Sequence, residues 1–157
     1  MAIRAIVTES DDILTKRSRP VEVFDKRLRL LLDDMIDTLK ESGGVGLAAV
    51  QVGILRRVFI MEMDDGEILE FVNAEILASG GSVEGLEGCL SVPGIYGYCL
   101  SPETVCVKAQ DRNGVFFMKE FSGLYARCSV HEIEHFEGKL FRHKVIRYAT
   151  QEELEGR

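Results

Sequence analysis

The stretch that most constrains this chain is His131-Glu132-Ile133-Glu134-His135, near its C-terminal end. Two histidines four residues apart fall one above the other on a helix face, so both imidazoles can reach a single metal ion. Glu132 is rotated off that ligand line and set to hold a water rather than the ion. For this to work the stretch must be helical. The rest of the chain must then bring another donor over it, because an open catalytic site takes three protein ligands and a water. The bland alternative is a surface helix rich in His and Glu. Against it stands economy: the chain has only 3 His, and two of them are at this spacing.

Candidates for the third donor stand on both sides of the motif. Downstream are His143 and the acids of the tail; upstream are Cys89, Cys99, Cys106 and Cys128. Cys128 shares the helix face, yet lies seven residues before His135, about 10 Å of helix rise and a long reach for a thiol. Cys99 and Cys106 sit in strand-like alternation and read as small core residues. Cys89, between Gly88 and Leu90 in a segment free to bend, is the favoured donor, with the downstream candidates left open. No secretion signal accompanies the 4 cysteines, so they read as reduced thiols or metal ligands.

Length and charge bound the rest. A chain of 157 residues is expected to be one domain, 1–157, with a sizeable core. A net charge of -7 argues against nucleic acid as a main partner, since phosphate binding needs a basic surface. Met1 to Ser10 has no apolar signal core, and no stretch approaches the ~18 apolar residues of a membrane span. A cytoplasmic protein with no membrane partner is expected.

Leu28, Leu31, Leu32, Met35, Ile36 and Leu39 repeat at helical spacing, with Asp25 as N-cap and Gly43-Gly44 past the end. The charged residues of this amphipathic helix are expected on its solvated face. Gly43 to Gly53 is rich in Gly and Ala, but lacks the Lys-Ser/Thr of a phosphate loop and reads as the tight wall of a cleft, with Gln51 its polar side chain. Arg57–Glu62 and Glu67–Val72 flank Asp64-Asp65-Gly66 as a hairpin; Thr104–Ala109 and Val115–Phe121 flank Arg112-Asn113-Gly114 as another. Glu84 to Gly94 reads as too glycine-rich for a regular element, with a turn at Pro93-Gly94. The metal helix runs from about Ser122 to Gly138, and Thr150–Gly156 forms a helical stub. The order predicts an α+β fold, antiparallel β-sheets around a central metal-binding helix with an N-terminal amphipathic helix.

Three segments together resemble the signature motifs of peptide deformylases: Gly44-Val45-Gly46-Leu47-Ala48-Ala49-Val50-Gln51, Glu87-Gly88-Cys89-Leu90-Ser91, and His131 to His135. Their order and separations match as well, over nearly the whole chain. The resemblance implies metal-dependent hydrolysis of the N-formyl group from formyl-methionyl peptides of nascent proteins. It implies one ion per chain, Fe2+ with Zn2+, Ni2+ or Co2+ able to substitute, held by Cys89, His131 and His135. Glu132 would move the proton, while the Gln51 amide and the Leu90 N–H would stabilise the oxyanion. Gly44, Val45, Gly46, Glu87, Arg127 and Cys128 would border the substrate. The implied partners are the formyl-methionyl peptide and, transiently, the ribosome.

Some positions depart from that pattern. Val50 stands where Pro or a small residue is usual, Val130 where Gln is usual, and Glu134 where Asp is usual. Leu100-Ser101-Pro102 lacks an Arg that many members carry. The short tail makes ribosome docking through a long C-terminal helix doubtful. Arg127, four residues before His131 on the ligand face, replaces an apolar pocket residue. Either it leaves the pocket and pairs with a carboxylate such as Glu87, or it redirects the enzyme to a different N-formyl substrate.

Overall fold

The computed structural model describes residues 2–156. The periodic segment forms α1, Lys26–Ser42, whose first turn is capped by the Asp25 carboxylate accepting the Leu28 N–H at 3.1 Å. Gly43 ends it at φ 74°, the left-handed conformation that a C-terminal stop requires. Leu28, Leu31, Leu32, Met35 and Leu39 are buried as the spacing predicts.

One helix charge is not on the solvated face. Asp34 is buried, accepting the Ala2 N–H at 2.7 Å and pairing with the Arg4 guanidinium at 2.9 Å, while Thr38 Oγ1 accepts the Arg4 N–H. Thus α1 holds the N-terminal strap with polar groups. Burial works against the charged form, yet the Ala2 N–H and Arg4 outweigh it and keep the Asp34 carboxyl below its usual range. The stability this lends is present above the ordinary carboxylate pKa of about 3.9 and lost as pH falls through the lowered folded value. Asp34→Ala is therefore expected to cost about 1–3 kcal/mol in urea unfolding at neutral pH, with the deficit shrinking as the medium is acidified.

Eight strands follow among the described residues: β1 Gly46–Ala48, β2 Val58–Glu62, β3 Ile68–Gly80, β4 Val83–Cys89, β5 Val92–Ser101, β6 Thr104–Gln110, β7 Phe116–Ser122 and β8 Val145–Tyr148. They form a five-stranded sheet in the order β1-β2-β3-β6-β7 and a three-stranded sheet β4-β5-β8, with every pairing antiparallel. The metal stretch lies on α2, Gly123–Phe136, and the tail closes with α3, Gln151–Glu155, capped by Thr150. The α+β fold with antiparallel sheets around the metal helix is what forms. Within the described residues no helix is long and apolar enough to cross a membrane.

The larger sheet is covered on both faces, which explains why Val58, Phe59, Ile60 and Met61 are all buried instead of alternating. Val58 and Ile60 pack with Leu32, Met35 and Leu39 of α1; Phe59 and Met61 face the other way, with Ala126 and Phe136 of α2. Phe59 stacks on Phe71 with ring centroids 4.3 Å apart. The helix carrying the histidines is thereby held by an apolar core along its length.

Two expectations are corrected. Glu84 to Gly94 is regular structure, falling in β4 and β5, and the turn between them is Leu90-Ser91, with Cys89 opposite Val92. Pro93 and Gly94 lie within β5. The glycines admit neighbours instead of breaking strands: a Cβ on Gly88 would stand 2.5 Å from the Tyr96 ring, and one on Gly97 2.7 Å from Val145. Strand β8, which pairs with β5, carries no signal strong enough to predict it.

Candidate metal centre

Cys89 ends β4 at the tight turn, and the turn swings its thiol over α2. Its Sγ, with one ring nitrogen each from His131 and His135, forms a set whose atoms all lie within 4.8 Å of one another. Cys89 Sγ is 3.5 Å from His135 Nε2. His143, the downstream alternative, does not join them; its Nε2 lies 3.1 Å from Glu134 Oε2. Glu134 also pairs with Lys144 at 2.8 Å, the ion-pair role expected for a residue off the ligand face.

Electrostatics favour positive charge where these atoms meet. Burial opposes a proton on His131, but Cys89, Glu87 and Glu132 together outweigh it and raise its pKa. On His135 burial prevails, with His131 adding to it; the ring is held neutral and its lone pair is available to a ligand. The buried Glu132 Oε1 has no hydrogen-bond partner among the described residues. A thiol, two imidazoles and an unpartnered carboxylate oxygen in a buried recess fit a borderline-soft divalent cation with one open position.

Around this set the other predicted residues divide. Gln51, fully buried in a single 3-10 turn after β1, is pinned at both ends of its amide. Its Oε1 accepts the Ala48 N–H at 2.9 Å, and its Nε2 donates to Ser91 Oγ at 3.1 Å and faces Cys89 Sγ at 3.5 Å. Ser91, the last residue of the Cys89 motif, is a positioning group to which motif reading gave no role. Leu90 sits in the turn and lies against Gly44, where a Cβ would come within 2.9 Å of its Cδ1. Gly46 faces Glu132 Oε2 and Cys128 Sγ, and Val45 packs at the edge of the core beside it. Cys128 is buried at the floor and outside the ligand set. Burial, then the charges of Glu132, Glu87 and Cys89, push its thiol well up; burial and Glu87 raise Cys99 to about 11.

Arg127 leaves the recess. Its guanidinium donates to Glu87 Oε2 at 3.0 Å and to the carbonyls of Val83, Gly85 and Cys99 at 2.9, 3.4 and 3.2 Å. With both terminal nitrogens engaged by Glu87 and backbone carbonyls, it is turned away from a substrate carboxylate, and the alternative N-formyl substrate finds no support. Glu87, buried, turns its other oxygen to His131 Nδ1 at 3.0 Å.

Cavity size does not single out this centre: a cavity of about 850 Å³ lies elsewhere, between α1 and residues 19–23, and holds none of these residues. The donor chemistry does. Comparison with known proteins agrees with it. The family model of polypeptide deformylases matches residues 3–151. A peptide deformylase of Caldicellulosiruptor bescii is 52% identical over 157 residues, covering 100% of this chain and 94% of that protein. Peptide deformylase 1 of Bacillus subtilis is 44% identical, covering 98% of this chain and 97% of that one. The crystal structure of a peptide deformylase from Legionella pneumophila superposes with a TM-score of 0.89 at 42% identity, over 98% of this chain and 90% of that chain.

Proposed function

Since the chain belongs to the peptide deformylase family, metal-dependent hydrolases that remove the N-formyl group from nascent peptides, we propose that residues 1–157 form one catalytic domain in which Cys89, His131 and His135 hold the ion. The observation that carries this reading is the convergence of those three side chains within 4.8 Å beside a buried carboxylate, Glu132. A divalent cation there supplies Lewis acidity, polarising the formyl carbonyl and making water a nucleophile at neutral pH. We assign ferrous iron, with zinc, nickel or cobalt as substitutes.

The chain's own groups do the rest. Glu132 takes the proton of the attacking water and returns it to the departing amine nitrogen; burial, reinforced by Glu87 and opposed by His131, pushes its carboxyl up to about 7, suited to both transfers. The Gln51 Nε2, fixed by Ala48 and Ser91, and the Leu90 N–H donate to the oxyanion. Gly44, Val45 and Gly46 form one wall of the cleft, with Cys128 at its floor. Arg127 serves this wall through its stem alone. The enzyme works in the cytoplasm and meets its formyl-methionyl substrate in transient contact with the ribosome.

The test is formate release from formyl-Met-Ala-Ser by protein purified anaerobically and loaded with ferrous iron. Turnover that disappears with a chelator and returns with the ion supports the reading. One ion bound per chain with no formate released overturns it. Air exposure is expected to inactivate the iron form, since an accessible thiolate ligand is what oxidants attack.

A further inference from the structure

Glu87 is nearly inaccessible, its side chain 4% exposed, and its two oxygens have different neighbours. Oε1 meets His131 Nδ1 at 3.0 Å. Oε2 meets Arg127 Nη1 at 3.0 Å and Lys144 Nζ at 3.6 Å. A carboxylate free to rotate presents either oxygen to either neighbour. With both cations on one edge, the other edge is left to the imidazole. A carboxylate oxygen accepts, so His131 Nδ1 must donate, which leaves the Nε2 lone pair for the ion.

Arg127 is itself fixed by an unusual fit. Its guanidinium bridges β4 and β5, hydrogen-bonded to three carbonyls as well as to Glu87. It reaches them because residue 85 has no side chain: a Cβ there would stand 2.7 Å from Arg127 Nη2 and 2.9 Å from Cζ. Gly85 has no left-handed backbone, so space alone calls for glycine at this position. The two positions, 42 residues apart, form one device.

We propose that Arg127 is a positioning residue for the metal centre: seated on Gly85 and assisted by Lys144, it fixes Glu87 so that Glu87 orients His131 toward the ion. The proposal rests on His131 being a ligand. It gives Arg127 a task apart from substrate binding, and it brings in Gly85 and Lys144, which lie outside the catalytic set.

The experiment measures affinity for zinc and cobalt(II) by competition with a chromophoric chelator, on variants shown to be folded by circular dichroism. Arg127→Met, which keeps an apolar stem, is expected to weaken binding about 10- to 100-fold, the usual effect of losing an outer-shell partner. Gly85→Ala should shift affinity the same way by displacing the guanidinium, and Arg127→Lys should recover part of the loss. The double variant Gly85→Ala/Arg127→Met should bind no more weakly than Arg127→Met alone, because both changes remove one device. Wild-type affinity in Arg127→Met, or additive losses in the double variant, overturns the proposal. If Arg127→Met does not fold, wild-type affinity in folded Gly85→Ala overturns it equally. A His131→Ala protein that binds the ion as tightly as wild type would instead overturn the ligand assignment beneath it.

Discussion

Glu132→Gln is expected to lower kcat by about 10²- to 10⁴-fold while leaving the ion content per chain at the wild-type level. Glutamine keeps the shape and volume of the side chain, so the packing around residue 132, which is 3% exposed, need not change. What is lost is the capacity to take a proton. Glu132 has no strong partner to share that duty: Oε1 has none among the described residues, and Oε2 has only the Cys128 thiol at 4.0 Å. The acid side of the wild-type kcat/KM profile should rise with pH as Glu132 loses its proton. Because a bound cation stabilises the carboxylate, that rise should lie at or below the value of about 7 that burial sets. Activity kept in Glu132→Gln would move the base elsewhere, and ion lost with the activity would make Glu132 a ligand.

What could be read from the chain, and what could not, follows from where the determining contacts lie. The α1 helix was legible because its apolar spacing, Asp25 cap and Gly43 stop sit within one segment. So was the histidine pair, whose geometry is fixed by helix pitch. Cys89 was favoured for its glycine-rich segment and its motif, but residue type and reach alone left His143 open. The choice between them is made by Glu134 and Lys144, which engage the tail, and by the Leu90-Ser91 turn, which swings Cys89 over α2. The glycines of β4 and β5 misled for a related reason. Their use is to receive Arg127, Tyr96 and Val145, and nothing beside them in sequence announces the visitors. Asp34 looked like one more solvated charge because its partners, Ala2 and Arg4, lie some thirty residues away. Local signals gave elements and motif, while long-range polar contacts had to be seen.

The same reasoning gives Gly46→Ala a large effect from one added methyl. A Cβ at position 46 would stand 2.6 Å from Cys128 Sγ and 2.8 Å from Glu132 Oε2, and both of those side chains are buried. The backbone has little room to yield, since Gly46 opens β1 and pairs with Met61 on β2. The side chains of α2 must therefore move, and the carboxylate is the one whose place matters. Overpacking of this kind costs about 1–3 kcal/mol of stability, which a folded protein survives. A displacement near 1 Å of a catalytic group costs about 10²-fold in rate. The expected result is a folded Gly46→Ala protein with normal ion content and kcat reduced about 100-fold, with KM changed less. Adding Cys128→Ala separates the two clashes. It removes the closer one, so part of the lost activity and stability should return if crowding at the floor is the cause. Full activity in the single variant would mean that Glu132 does its work from a different rotamer.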